Sequence, residues 1–290
     1  FTFEGAPLFV SGQSDISLSV STIDIARMGA EQGINGSVVA PMLTSFGGPL
    51  VRAGGPYDPA ETGSAQASID KVSDDNGRFG IFGWSAGHVP VDQIILQELF
   101  GKELTEEGGD IRAQPTEPPA IPQLVMQDEL AMGWHSPAHG SGGRLLAQEL
   151  VPLYWGAEEL SRNNFGMAPL ANIATRPAYL EENREAVEAF LRAFNQGVTW
   201  FYDSGVDDIP GNETYMEPIG AGSAEEARYT VEWVISNDVP LGYETDTPRL
   251  HNPARVTQSW IDQNTAFMDR AADIGQVPSN WQEFVAYEQV

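Results

Sequence analysis

The sequence predicts an α/β fold built as two similar lobes, and three observations carry that expectation. Runs of β-type residues alternate with helical runs along nearly all of the 290 residues. The apolar run Phe79 to Phe82 breaks into Gly83-Trp84-Ser85-Ala86-Gly87-His88 ahead of a helix with Pro90 in its first turn, the strand–turn–helix step of such folds. A faint internal repeat lays Ala6 to Thr22 over Ala120 to Ser136, so that Ala6, Val10, Gln13, Asp15, Ile16 and Thr22 meet Ala120, Leu124, Gln127, Glu129, Leu130 and Ser136. Both copies read as helix, polar turn, short strand, hydroxyl-bearing cap and new helix.

The strands expected from apolar and β-branched runs are 16–20, 36–43, 79–82, 110–113, 130–134, 149–154 and 167–175, in mainly parallel sheets. Residues 54–77 are polar and turn-rich and read as a loop ending in a short helix, the best lobe boundary in the sequence. The clearest helix is 183–203. Val187, Phe190, Leu191, Phe194, Val198 and Phe201 line one face of it, and Asn183 stands at its cap. Ser223-Ala-Glu-Glu226 reads as a capping box, and a last helix is expected from Asn252-Pro253 to Gly275.

Composition narrows the function. A formal charge of −26 and a pI of about 4.2 argue against nucleic acid or anionic lipid as partner. Lys71 and Lys102 are the only lysines, so the basic residues are nearly all arginine. An acidic, lysine-poor surface suits a protein from a salt-adapted source, with ordinary acidic solubility as the plainer account. The absence of cysteine removes disulfides, thiolate metal sites and cysteine nucleophiles. No apolar run approaches the roughly 20 residues of a membrane-spanning helix. The chain opens abruptly on FTFEGAPLF, as if entered after a leader, and holds two glycosylation triplets, Asn35-Gly36-Ser37 and Asn212-Glu213-Thr214.

In open α/β sheets a ligand sits beyond the carboxyl ends of strands, over the helix N-termini that follow. Four junctions qualify: Ser21-Thr22, Thr44-Ser45-Phe46-Gly47, Trp84 to His88, and Trp134-His135-Ser136. A small polar or anionic group fits there, with Trp84 and Trp134 closing over its apolar part. The same residues serve equally well as caps and core aromatics. His139 to Gly143, HGSGG, reads as a plain helix start rather than a phosphate loop. His88, His135 and His139 lack metal-ligand spacing, so no metal is proposed.

LFVSGQSDISLSVST, then INGSVVAPML, then SIDKVSDDNGRFGIFGWSAGH resembles the nitrate/sulfonate/taurine group of ABC-transporter substrate-binding proteins. IATRPAYLEENREAVEAFLRAFNQGVTWF is similar to the return strand and helix of that group, and IDQNTAFMDRAADIGQVPSNW to its closing helix and tail. Two departures stand out: the group's first strand, helix and second strand would precede residue 1, and its DLkGk turn appears here as DKVSDDNG.

The resemblance implies a two-lobed periplasmic binding protein fold of type II, with a hinge crossed twice near Asn76 to Arg78 and Ala168 to Asn172. It places one lobe in 1–77 plus 170–290 and the other in 78–169. It implies an extracytoplasmic monomer, in the periplasm or at the cell surface, lipid-anchored through a segment before residue 1. Such a protein uses no cofactor, clamps a small-molecule ligand and passes it to an ABC permease. The implied ligand contacts are Ser21, Thr22, Thr44, Trp84, Ser85, His88, Trp134 and Ser136. The ligand is a small organic anion such as a sulfonate or carboxylate, or a flat pyrimidine-type heterocycle. Rival readings are an enzyme of thiamine-pyrimidine or menaquinone biosynthesis and a surface sensor. A pyridoxal-phosphate enzyme would need a lysine at the ligand, and Lys71 and Lys102 both read as solvated.

Overall fold

β-Branched runs bounded by turn residues become the strands, and amphipathic runs between them become helices that bury one face. A computed structural model describes residues 5–106, 108–235 and 248–290. Among these residues the strands are β1 (Ile16–Val20), β2 (Gly36–Thr44), β3 (Gly48–Arg52), β4 (Arg78–Ile81), β5 (Leu104–Thr105), β6 (Ile111–Pro115), β7 (Met132–His135), β8 (Leu150–Pro152), β9 (Pro169–Thr175) and β10 (Val285–Tyr287). The chain divides into two compact units, one of residues 1–45, 160–203 and 245–290, the other of 46–159 and 204–244.

The first unit holds a four-stranded sheet in the order β1-β9-β2-β10. β9 runs antiparallel to both β1 and β2, and only β10 lies parallel to its neighbour. All nine residues of β2 are buried, which explains its almost unbroken apolar run. Pro41 donates no backbone hydrogen bond, and the β2–β9 register slips beside it, between Pro41 and Leu43. Val20, Ile23, Val38, Ile173, Phe267 and Trp281 form the core of this unit.

The second unit holds a six-stranded sheet in the order β5-β6-β4-β7-β3-β8. β4, β5, β6 and β7 pair in parallel, whereas β3 is antiparallel to β7 and β8. The expectation of mainly parallel sheets therefore holds for four of the six strands of this sheet and fails for the first unit. The short strands β3, β5 and β10 were not expected from the sequence.

Residues 46–77 fall in the second unit, whereas the sequence reading sets them with 1–45 in one lobe. β3 is hydrogen-bonded on both sides into that unit's sheet, and the polar stretch after it folds as two capped helices, Pro59–Thr62 and Ala65–Asp74. The two copies of the repeat fall in different units. The first reads helix Gly5–Val10, β1, Ser21, helix Thr22–Gln32. The second reads helix Ile121–Met126, β7, Ser136, the 3-10 turn Pro137–His139.

The expected helix 183–203 lies within a longer helical stretch, Pro177–Asp208, whose backbone leaves helical geometry at Asn183 (φ −129°, ψ 31°). Asn183 thus marks the break, although its side chain donates back to the Tyr179 carbonyl (3.2 Å) rather than capping the turn that follows. Val187, Leu191 and Val198 are buried as expected. The last helix starts later than Asn252, at Gln258–Asp273, because Thr257 supplies the cap.

Candidate ligand-binding site

The eight residues marked by the sequence lie at the expected strand ends, but most spend their polar atoms inside their own unit. Ser21 caps the helix Thr22–Gln32: its hydroxyl accepts from the Asp24 N–H (3.1 Å) and donates to the Asp24 carboxylate (2.8 Å). Burial raises the Asp24 pKa, with the hydrogen bonds from Ser21 pulling the other way.

Thr22 is wholly buried. Its hydroxyl donates to Asn264 Oδ1 (3.0 Å) and accepts from Asn172 Nδ2 (3.1 Å). Tyr287 also donates to Asn264 Oδ1 (2.7 Å), and Asn264 Nδ2 donates to the Met167 carbonyl (3.1 Å). Asn172 Oδ1 is left buried with no hydrogen-bond partner.

Thr44, at the end of β2, donates to the Pro248 carbonyl (2.7 Å) and lies 3.1 Å from His251 Nε2. With the Thr44 proton committed to Pro248, His251 Nε2 is the donor of that pair. Burial pushes the His251 imidazole down to about 4. The segment 249–251 runs beside the end of β2, with Thr44 N–H to the Arg249 carbonyl (3.0 Å) and His251 N–H to the Met42 carbonyl (3.0 Å). Arg249, at 1% exposure, is the one buried arginine or lysine among the described residues. The sequence reading missed it. A hint lay in its position within TPRLHNP, an arginine between apolar and turn residues.

In the second unit an aromatic and imidazole cluster takes the place expected for two tryptophans. Trp134 is fully buried and stacks on His88 (centroids 4.3 Å apart, planes 15°). Phe82 meets Trp134 edge-on at 4.9 Å, His88 at 5.2 Å, His135 at 6.0 Å and His139 at 5.6 Å. Phe46 continues the cluster to His139 (5.7 Å) and Trp233 (5.5 Å), and Trp233 reaches Trp155 (5.3 Å). Trp84 is half-buried in the turn and Ser85 is exposed. Trp84 thus stands at the turn, whereas Trp134 is buried with its ring against Phe82 and His88.

His88 stands at the N-cap of the helix Val89–Phe100 without a side-chain cap bond. Its Nε2 accepts from the Phe82 N–H (3.3 Å), which leaves Nδ1 to donate to Asp92 Oδ2 (3.0 Å). Tyr154 donates to Asp92 Oδ1 (2.9 Å). Burial raises the Asp92 pKa against the pull of His88 and Tyr154. The Tyr154 phenol is raised well above its ordinary value, first by burial and then by Asp92. An acidic side chain of this first turn thus already meets the positive end of the helix.

Ser136 is buried, and its Oγ lies 2.6 Å from His139 Nδ1. His135 Nε2 lies 3.1 Å from the Pro118 carbonyl and so carries the proton, leaving Nδ1 to accept from Ser141 Oγ (2.5 Å). Burial lowers His135 to about 4 and His139 to about 3, the latter also through the neighbouring histidines, so both are neutral near pH 7. The indole N–H groups of Trp134 and Trp155 are buried and meet no acceptor. A buried donor left without a partner costs about 1–3 kcal/mol.

The HGSGG turn is a helix start that holds a carboxylate from its own unit. Glu226 accepts from the Gly143 N–H (2.7 Å) and the Gly222 N–H (2.8 Å). A Cβ on Gly143 would lie 3.2 Å from that carboxyl group, close enough to push it back by a few tenths of an ångström. Only half of the expected capping box forms. Ser223 accepts from the Glu226 N–H (3.1 Å), while the Glu226 side chain goes to the glycine turn.

No protein-family model and no curated protein sequence matches this chain. Solved structures do. The alkanesulfonate-binding protein SsuA from Xanthomonas axonopodis pv. citri, bound to MOPS, matches at 12% identity with a TM-score of 0.65, over 98% of this chain and 84% of its own. The periplasmic nitrate-binding protein NrtA from Synechocystis PCC 6803 matches at 11% identity and 0.64, over 97% and 74%. This chain has the periplasmic-binding-protein fold. That fold also carries catalysis, since the desulfurization enzyme DszB matches at 12% identity and 0.56, over 94% of this chain and 83% of its own. The periplasmic-binding fold accounts for the two α/β units and for strand-end turns that place polar and aromatic side chains in each.

Proposed function

We propose that this protein is the extracytoplasmic solute-binding component of an ABC importer and captures a small organic anion, sulfonate- or carboxylate-like, by hinge closure before delivery to a permease. The observation that carries this is the fold shared with sulfonate- and nitrate-binding proteins over nearly the whole chain. The chemistry of the units supports it. Arg249 is an enclosed cation in a chain of charge −26, and the unpaired indole N–H groups of Trp134 and Trp155 are donors suited to an oxyanion. We assign ligand contact to Ser21, Thr22, Thr44, Trp84, Ser85, His88, Trp134 and Ser136, with Trp84 and Ser85 the most accessible of them.

Calorimetric titration with short alkanesulfonates, carboxylates, nitrate and pyrimidines tests this reading. Saturable binding of an anion that is recovered unchanged supports it. Binding of pyrimidines alone, or conversion of the ligand, overturns the anion-transport assignment. Ser85→Asp should leave the melting temperature nearly unchanged and weaken anion binding roughly a hundredfold or more, because like charges placed together cost several kcal/mol. Unaltered affinity would remove this turn from the site.

A lysine-dependent enzyme gains no support. Lys71 pairs with Asp75 (2.8 Å) and Lys102 with Asp70 (3.0 Å), and neither touches the residues above. We also assign the protein to a salt-adapted source. At 1 M salt the screening length falls to about 3 Å, so self-repulsion of the acidic surface fades. The melting temperature should rise continuously into the molar range of sodium chloride. A plateau below physiological ionic strength would contradict that assignment.

A further inference from the structure

We propose that Asn212 is the acceptor of an N-linked glycan in the folded protein, and that the other acceptor triplet, Asn35-Gly36-Ser37, is closed to modification by the fold. Sequence alone ranks the two triplets equally. The structure separates them.

Asn212, Glu213 and Thr214 are all exposed, as are Gly211 before them and Tyr215 (43%) after them. Asn212 Oδ1 accepts from the Thr214 N–H (3.1 Å), closing a turn that holds the asparagine beside the threonine whose hydroxyl completes the motif. Among the described residues Asn212 Nδ2 meets no acceptor, so the nitrogen that would be modified is not committed elsewhere. The turn leads into a single helical turn, Glu213–Met216, with no buried residue. A transferase can therefore bind the triplet without displacing core.

The first triplet is built into a sheet. Gly36 N–H is bonded to the Phe284 carbonyl (3.0 Å), and Ser37 pairs with Ala286 on one side and Thr175 on the other. The Ser37 side chain is 1% exposed. Binding this triplet to an enzyme would require stripping β10 and β9 from β2, which is close to unfolding the sheet.

The co-reactant is an oligosaccharide joined through phosphate to a membrane lipid. The Asn212 amide nitrogen attacks C1 of the first sugar, a nitrogen–carbon bond forms, and the carbon–oxygen bond to phosphate breaks. The lipid phosphate leaves with the bonding pair, and the nitrogen loses one proton to the transferase. This inference rests on the extracytoplasmic location proposed above, where such donors are used.

The test is peptide mass spectrometry on protein purified from its native source, with cell fractionation of the same culture. A sugar mass on the Asn212 peptide, none on the Asn35 peptide, loss in Asn212→Gln and Thr214→Ala, and retention in Thr214→Ser are expected. All three substitutions lie on exposed positions, and an unchanged melting temperature confirms that each variant folds. Protein found outside the cytoplasm with a bare Asn212 overturns the inference while leaving the solute-binding reading to its own titration. Occupancy at Asn35 overturns the selection by the fold.

Discussion

Lowering the pH from 6.5 to 4 should cost this protein a large part of its stability, and buried neutral histidines are the cause. An unfolded histidine takes up a proton near pH 6.5, whereas His135 and His251 in the folded chain hold out to about 4. Between those values the unfolded state binds more protons, so stability falls as pH falls. Each ring contributes roughly 3 kcal/mol across that window, at about 1.4 kcal/mol per pKa unit. Together they approach the net stability of a typical domain, about 5–15 kcal/mol. His139 acts in the same direction, discounted because its ring is partly open to water. Asp24 and Asp92 act oppositely. Their raised pKa values mean that the folded state gains protons first, which returns some stability as pH falls through those values. Urea denaturation of the wild type and His251→Gln at pH 7 and pH 4.5 isolates one ring. The variant should lose less stability on acidification than the wild type. Equal losses would show that His251 is protonated in the folded protein.

The fold was more legible in the sequence than the site, for a physical reason. Alternating strand and helix patterns are local, so β1 was placed at both ends and β2 to within one residue. β3 was missed because Gly48-Pro49-Leu50-Val51-Arg52 carries glycine and proline, and its strand character comes from pairing with β7 and β8. At the site, the sequence located strand ends but not the partners of their side chains. Ser21 meets Asp24 three residues on, a capping box that a closer look at S-T-I-D would have found. Thr22 meets Asn264 across 242 residues, and Tyr154 meets Asp92 across 62, which no local pattern discloses. Trp134 was legible as a tryptophan at a strand end, but not its packing against His88 and Phe82, which lie more than 40 residues away in the chain.

Gly48→Ala should be the most damaging single-methyl change in the aromatic cluster's support. A Cβ at Gly48 would lie 1.9 Å from the Tyr154 carbonyl oxygen and 3.3 Å from the Trp155 Cα, both backbone atoms that cannot rotate aside. The strand would have to move away from 153–156, yet Leu153 N–H to the Pro49 carbonyl (2.9 Å) and Gly156 N–H to the Gly47 carbonyl (2.9 Å) hold the two segments together. Any shift also draws Tyr154 from Asp92 and leaves a buried carboxyl short of a donor. Lost strand pairing and a broken buried network together place the cost at about 4 kcal/mol or more, the exceptional end of point mutations. The neighbouring Gly47 is bound as tightly, since its Cβ would lie 2.2 Å from the Trp134 ring. Gly197 gives the contrast: it sits inside the helical stretch Pro177–Asp208 with nothing within 4 Å of an added Cβ. Gly197→Ala should stabilise by about 0.5–1 kcal/mol through helix propensity. Denaturation of both variants decides the matter. A Gly48→Ala protein within 1 kcal/mol of wild type, by the ~1 kcal/mol scale of ordinary substitutions, would mean that 153–156 is free to move. The Phe46–Trp155 side of the aromatic cluster would then be a pliant surface rather than a fixed wall for a ligand.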